Sequence, residues 1–240
     1  MSNQDNRFSS RFTFLLSALG IAVGTGNIWR FPRIVASNAG DEGAGAFLVA
    51  WITFLFLWSI PLIIVEYIMG RQSRMGTVGA FANFMGKPFA FLGGFVGVVS
   101  TAIAFFYSVI VGWNIYYFGS ILISDLPLTN DASWALWSSF QNSSFPIIFH
   151  GIAMSVGGLA IYKGVSSIEK VNKVLIPVLL GIVLLSLFRA LSLPGSLDGI
   201  TYLFTPDWSQ LKRPGIWVDA LAQNAFDTGA GFGLFLTYAI

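Results

Sequence analysis

The chain is 240 residues long, 55% hydrophobic and only 10% charged, with a formal net charge of +2 and a mean hydropathy of +0.73. Soluble globular domains are about a quarter charged, so a soluble enzyme, a nucleic-acid-binding domain and a disordered chain are excluded. The absence of cysteine excludes a disulfide scaffold, and the single His150 leaves zinc and iron–sulfur centres short of ligands. What remains is an all-α polytopic membrane protein, in which spans of about 20 residues leave room for roughly six.

In chain order, residues 1–10 are polar and read as a cytoplasmic tail. The first apolar segment runs from about Phe12 to Ala36. It is too long for a cleavable signal peptide and lacks a small-residue cleavage site. The second runs from about Ala44 to Met69 and contains Pro61 and Glu66. The third, from about Pro88 to Leu122, is long enough to cross with a strong tilt. The fourth covers about Pro146 to Tyr162, with His150 read as an interfacial residue at its start. The fifth covers about Val171 to Phe188, and residues 191–214 read as an extracellular loop before a sixth segment spanning 215–240. With the N-terminus inside, the inner loops carry eight Lys and Arg residues against five outside, and Trp134, Trp137 and Trp208 fall in outer segments. That bias predicts a multi-pass protein of the cell membrane with a cytoplasmic N-terminus.

Two spans are unusual. Gly20, Gly24 and Gly26 sit in the middle of the first, and Gly229, Gly231 and Gly233 in the sixth. Each glycine costs about 1 kcal/mol of helix propensity relative to alanine. One reading is close helix packing, since Gly20 and Gly24 have small-xxx-small spacing. The other is backbone unwound at mid-membrane, which is tolerated only where it lines a cavity or is buried in protein. Asn27 and Asp227, beside the two glycine clusters, favour unwinding. An interrupted pair at corresponding places in two halves is the sequence mark of a secondary transporter's binding site.

The run Ala22-Val23-Gly24-Thr25-Gly26-Asn27-Ile28-Trp29-Arg30-Phe31-Pro32 closely resembles the signature of the neurotransmitter:sodium symporter family. Pro61-Leu62 with Glu66-Tyr67-Ile68-Met69-Gly70-Arg71 resembles that family's second signature. Similar stretches are Gly164-Val165-Ser166, Ile168-Glu169-Lys170 and Pro177, then Thr205-Pro206-Asp207-Trp208 and Pro214-Gly215-Ile216-Trp217. The resemblance implies twelve spans in all, with spans one to five and six to ten as inverted repeats. Residues 11–190 then hold the first repeat and 215–240 the start of the second, so the chain corresponds to an N-terminal half whose C-terminal half is missing. It implies a sodium-coupled amino-acid symporter working by alternating access, with the amino acid, sodium and the lipid bilayer as partners.

The same resemblance assigns residues. Asn27 corresponds to the side-chain ligand of a first sodium, joined by the carbonyl of Ala22 and by Asp227. The carbonyls of Gly20 and Val23 correspond to ligands of a second. The substrate site comprises Ala22, Val23, Thr25, Gly26, Ile103, Tyr107, Phe226, Gly229 and Phe232. The amides of Thr25 and Gly26 open a half-helix and face the substrate carboxylate. Tyr107 donates to that carboxylate and closes an outer lid with Phe226, while Arg30 belongs to the outer gate. Arg7 or Arg11 stands for the inner gate. Glu66 reads as a structural acceptor for amides freed in the sixth span. From periodicity alone, Tyr107, Phe226 and Phe232 read as core aromatics, and Arg30 as a snorkelling interfacial residue.

Several positions depart from the family pattern. Gly24 stands where amine transporters carry an aspartate, which implies a substrate bringing its own carboxylate. Asp227 stands where a neutral hydroxyl residue is usual, and Trp51 where chloride-dependent members carry a tyrosine. These changes predict chloride independence, with Asp227 supplying the charge, or a proton carried by Asp227. Ile21 and Gly229 replace polar residues, and Gly229 enlarges the pocket. The alternative to a transporter is a non-transporting fragment that only inserts in the membrane or needs a second chain. A membrane enzyme lacks any Ser/His/Asp or metal constellation.

Overall fold

The computed structural model describes residues 8–23, 26–124, 127 and 129–239, with backbone alone for Ile21 and Gly26. Arg7, Gly24 and Thr25 lie outside the described residues. The described residues form no strand. Twelve α-helices run in the order α1 (Arg11–Ala22), α2 (Phe31–Ser37), α3 (Gly45–Phe54), α4 (Ile60–Ser73), α5 (Thr77–Met85), α6 (Ala90–Ile123), α7 (Asn130–Gln141), α8 (Phe145–Ile161), α9 (Val165–Leu191), α10 (Ser196–Phe204), α11 (Pro214–Thr228) and α12 (Leu234–Tyr238).

Among the described residues, three stretches are long and apolar enough to cross a membrane. They are Gly45–Ser73, where a π-helical turn over Leu55–Ser59 joins α3 to α4, then Lys87–Ile123 and Val165–Leu191. Their outer surfaces are largely apolar: Leu57, Val98 and Leu185 are 73%, 69% and 71% exposed. Water does not support such surfaces, and hydrocarbon does. Of the other three expected spans, the fourth is one helix, α8, of 17 residues; it meets α7 at 74° across Asn142-Ser143-Ser144, with Pro146 in its first turn, where the missing N–H costs nothing. The first and sixth segments are each divided into shorter helices.

Sequence signals explain the ends. Ser10 caps α1 by accepting from the Thr13 amide, and Thr13 answers with a bond to the Ser10 backbone. Thr129 caps α7 in the same way. Pro214 begins α11, where its missing N–H costs nothing.

Two buried clusters organise the packing. The larger joins α2, α3 and α11 through Val35, Phe47, Ala50, Ile216 and Ala220. The smaller joins α4, α5 and α12 through Met69, Ala80 and Leu236. α1 runs along α9 on a polar seam: Ser9 donates to Glu169 from its amide, at 3.2 Å, and from its hydroxyl. Farther along, Asn172 Nδ2 donates to Ser17 Oγ at 3.0 Å.

His150 is the sixth residue of α8, and its Nε2 lies 2.9 Å from Ser108 Oγ on α6. The Ser108 hydroxyl also donates to the Phe105 carbonyl at 2.7 Å. Beside it the helices touch backbone to backbone. A Cβ on Gly112 would lie 2.9 Å from the His150 nitrogen. Overpacking at such a contact costs about 1–3 kcal/mol. Gly112→Val is therefore expected to lower the melting temperature in detergent. Gly119→Val, on the same helix with nothing within 4 Å, is expected to leave it near wild type.

Candidate functional site

The first interruption lies where α1 stops. Val23 leaves helical geometry at φ −98° and ψ 85°, and its amide donates back to the Leu19 carbonyl at 2.7 Å. Gly20 and Ala22 belong to the last turn of α1, whose carbonyls lack partners within the helix. The chain resumes as a π-helical turn, Gly26–Arg30, that runs into α2. Asn27 sits in this turn, and its Oδ1 is buried with no hydrogen-bond partner among the described residues. A buried acceptor of this kind is costly unless a donor or cation meets it.

The second interruption follows Thr228. Gly229, Gly231 and Gly233 have φ of +66°, +88° and +69°, values that favour glycine over residues bearing a Cβ. The turn they make frees backbone groups, and side chains from other helices take them up. Glu66 Oε1, on α4, accepts from the Gly231 amide at 2.7 Å and the Gly233 amide at 3.2 Å. Ser100 Oγ, on α6, donates to the Phe232 carbonyl at 2.5 Å. Ser100, Ile103 and Tyr107 share one stripe of α6 at spacings of three and four. The Ser100 bond therefore brings that stripe to the turn carrying Phe232.

Asp227 is 3% exposed. Its Oδ2 accepts from Trp51 Nε1 at 3.1 Å and its Oδ1 from Gln223 Nε2 at 2.6 Å. The Gln223 oxygen accepts in turn from Arg30 Nη1, and the Arg30 guanidinium lies 4.5 Å over the Phe226 ring. One amide thus bridges the arginine and the carboxylate with its dipole correctly oriented for both. Asn224 extends the network, donating to the Trp51 carbonyl at 2.7 Å and accepting from Ser59 Oγ at 2.9 Å.

Arg30, Phe226, Asp227 and Trp51 therefore belong to one region between the π-helical turn, α3 and α11, with Asn27 in the same turn as Arg30. Gly229 and Phe232 continue it along the turn after α11. Tyr107 packs edge-on against its neighbour Phe106, with ring centroids 5.7 Å apart, and makes no ring contact with Phe226. Arg11 is exposed at the start of α1. Sequence reasoning missed Ser59, Ser100, Gln223 and Asn224. Gln223 stands four residues before Asp227, and that i,i+4 amide–carboxylate spacing is the signal that marks it.

Residues 5–144 and 139–240 match the Sodium:neurotransmitter symporter family. An uncharacterized sodium-dependent transporter of Methanocaldococcus jannaschii is 33% identical over 242 residues, covering 97% of this chain and 48% of the relative. The sodium-dependent neutral amino acid transporter B(0)AT2 of Bos taurus is 29% identical over 265 residues, covering 97% of this chain and 35% of the relative. Among solved structures, MhsT in complex with L-phenylalanine superposes with a TM-score of 0.82 at 33% identity, covering 98% of this chain and 53% of that one. The chain thus spans about half the length of the Methanocaldococcus relative and of MhsT.

The Glu66 geometry generates a direct expectation. Hydrogen bonds to a charged acceptor contribute about 1.5–3 kcal/mol. Glu66→Ala is expected to speed hydrogen exchange at the Gly231 and Gly233 amides while leaving amides in the middle of α6 protected. Unchanged protection at both glycines counts against the carboxylate as their acceptor.

Proposed function

Because this multi-pass membrane chain belongs to the Sodium:neurotransmitter symporter family, we propose that it carries one side of the binding site of a sodium-coupled amino-acid symporter. The observation that carries the reading is Asn27 Oδ1, a buried oxygen with no donor among the described residues, beside the last turn of α1. A hard cation takes such neutral oxygens together with backbone carbonyls. Sodium is here a transported substrate. Asn27, Asp227 and the Ala22 carbonyl hold one ion, and the carbonyls of Gly20 and Val23 a second.

The amino acid lies between the two interrupted helices. Thr25 and Gly26 present amides to its carboxylate, and Tyr107 adds its hydroxyl. Ala22, Val23, Ile103, Phe226, Gly229 and Phe232 surround the side chain. The bovine relative's name specifies neutral amino acids, and MhsT was solved with L-phenylalanine; both support that class. Glycine at position 24 supports it too, because no side-chain anion stands ready for an amine. Arg30 and Phe226 close the outer side, joined by Tyr107 as the site contracts.

The domain reading follows. Residues 11–190 form a first repeat of five spans, 191–214 an outer loop and 215–240 the sixth span, with residues 1–10 cytoplasmic. Sequence equivalent to the relatives' remaining length supplies the opposing side of the site. Access alternates as the interrupted helices rock against that scaffold. Asp227 places a fixed negative charge beside the first sodium, so chloride is not needed.

Two expectations test this. In proteoliposomes, this chain co-expressed with a chain spanning the second half of its Methanocaldococcus relative takes up neutral amino acids when sodium is outside, and gluconate replaces chloride without loss. Uptake as fast in potassium as in sodium overturns the reading, and loss of uptake on chloride removal overturns the role of Asp227. Asn27→Ala and Asp227→Asn are each expected to weaken apparent sodium affinity about tenfold or more, about 1.4 kcal/mol per decade. Full sodium affinity in Asp227→Asn removes that carboxylate from the ion site.

A further inference from the structure

Away from the interrupted helices, the wedge between the end of α6, α7 and the start of α8 holds a cavity of about 750 Å³. Tyr116, Tyr117, Leu136, Trp137 and Phe145 form its walls. The walls are braced from behind: Tyr116 stacks on Phe140 at 4.2 Å, and Trp113 meets Trp137 edge-on at 5.0 Å. Rings held this way do not collapse into the space, and the 74° angle between α7 and α8 keeps it open. The mouth runs past Ile121 and Ile123, which are 50% and 86% exposed. Phe118 and Leu122, at 66% and 70%, continue the same apolar surface along α6.

No ionisable side chain other than tyrosine lines the cavity among the described residues. Its described walls offer a free amino acid or another small ion no counter-charge. Ser120, Ser124 and Ser133 supply its hydroxyls, and the last two form an exposed rim. The Tyr117 hydroxyl and the neighbouring Trp113 Nε1 are buried with no hydrogen-bond partner among the described residues. Trp134 on α7 is 67% exposed, as suits a ring at the membrane–water boundary.

We propose that this cavity is a binding site for one acyl chain of a membrane phospholipid, which enters between α6 and α7 with its ester group at the serine rim. The cavity is continuous with the apolar face of a membrane-crossing helix, so the occupant arrives from the bilayer.

The test uses the protein in nanodiscs of phosphatidylcholine carrying a photoactivatable diazirine on one acyl chain, with labelled residues mapped by mass spectrometry. Labelling is expected to concentrate on residues 116–124 and 133–137, above the level on the lipid-exposed Leu185 face of α9. Ser133→Phe, which fills the mouth from an exposed position, is expected to reduce both segments to the α9 level while α9 labelling stays the same. Equal labelling of cavity and α9 in the wild-type protein overturns the proposal. So does an absence of cavity labelling, as when another polypeptide segment covers the mouth. Undiminished labelling in a Ser133→Phe protein whose α9 labelling is intact also overturns it.

Discussion

Backbone amides and carbonyls inside a bilayer have no water to fall back on, and the middle of this molecule is built around that constraint. Wherever a helix stops, another element must take up the groups it frees. After α11 the chain passes through three glycines, and the amides of Gly231 and Gly233 go to one oxygen of Glu66. The Phe232 carbonyl goes to Ser100. These contacts tie the turn to α4 and α6 and fix where Phe232 and Gly229 stand. Removing the carboxylate would leave two amides in a dry environment, so Glu66 is best understood through the backbone it serves.

The interruption after α1 carries a spare acceptor, because Asn27 Oδ1 is buried and unpartnered among the described residues. The interruption after α11 has one too: Glu66 gives one oxygen to the freed amides, and its Oε2 is buried without a partner among the described residues. The two differ in what the acceptor is, a neutral amide oxygen at the first and a carboxylate oxygen at the second, and glycine content does not show it, since both runs contain three glycines.

Much of this was legible in the residues. The long apolar rods were, because hydrocarbon asks for little beyond length and apolarity. The glycine turn after α11 was too, because its positive φ angles select glycine. The helix α7 ahead of the fourth span, with its 74° bend into α8 at three polar residues, was less so, since α7 has no long apolar run. The partner of His150 was not legible, because it depends on Gly112 letting α6 approach the α8 backbone, a contact between residues 38 positions apart. Ser59, Ser100 and Asn224 were invisible for a similar reason. Each acts on a partner more than a hundred residues away, and a serine in an apolar helix otherwise bonds its own preceding turn.

Asp227 shows how the fold accommodates a charge that its hydrophobic surroundings disfavour. Burying a carboxylate is costly unless it is paired and hydrogen-bonded. Here no direct ion pair with Arg30 forms among the described residues; the Gln223 side chain stands between them, accepting from the guanidinium and donating to the carboxylate. An inserted amide weakens the direct attraction but keeps both charges hydrogen-bonded, and it leaves the second carboxylate oxygen to the indole of Trp51. Trp51 in place of a tyrosine is then more than a bulky substitute. An indole N–H only donates, so it suits a carboxylate, whereas a phenol can also accept and serves a different neighbour. The two departures from the family pattern, at positions 51 and 227, are chemically matched, and the distance of 3.1 Å between them is the reason to treat them as one change.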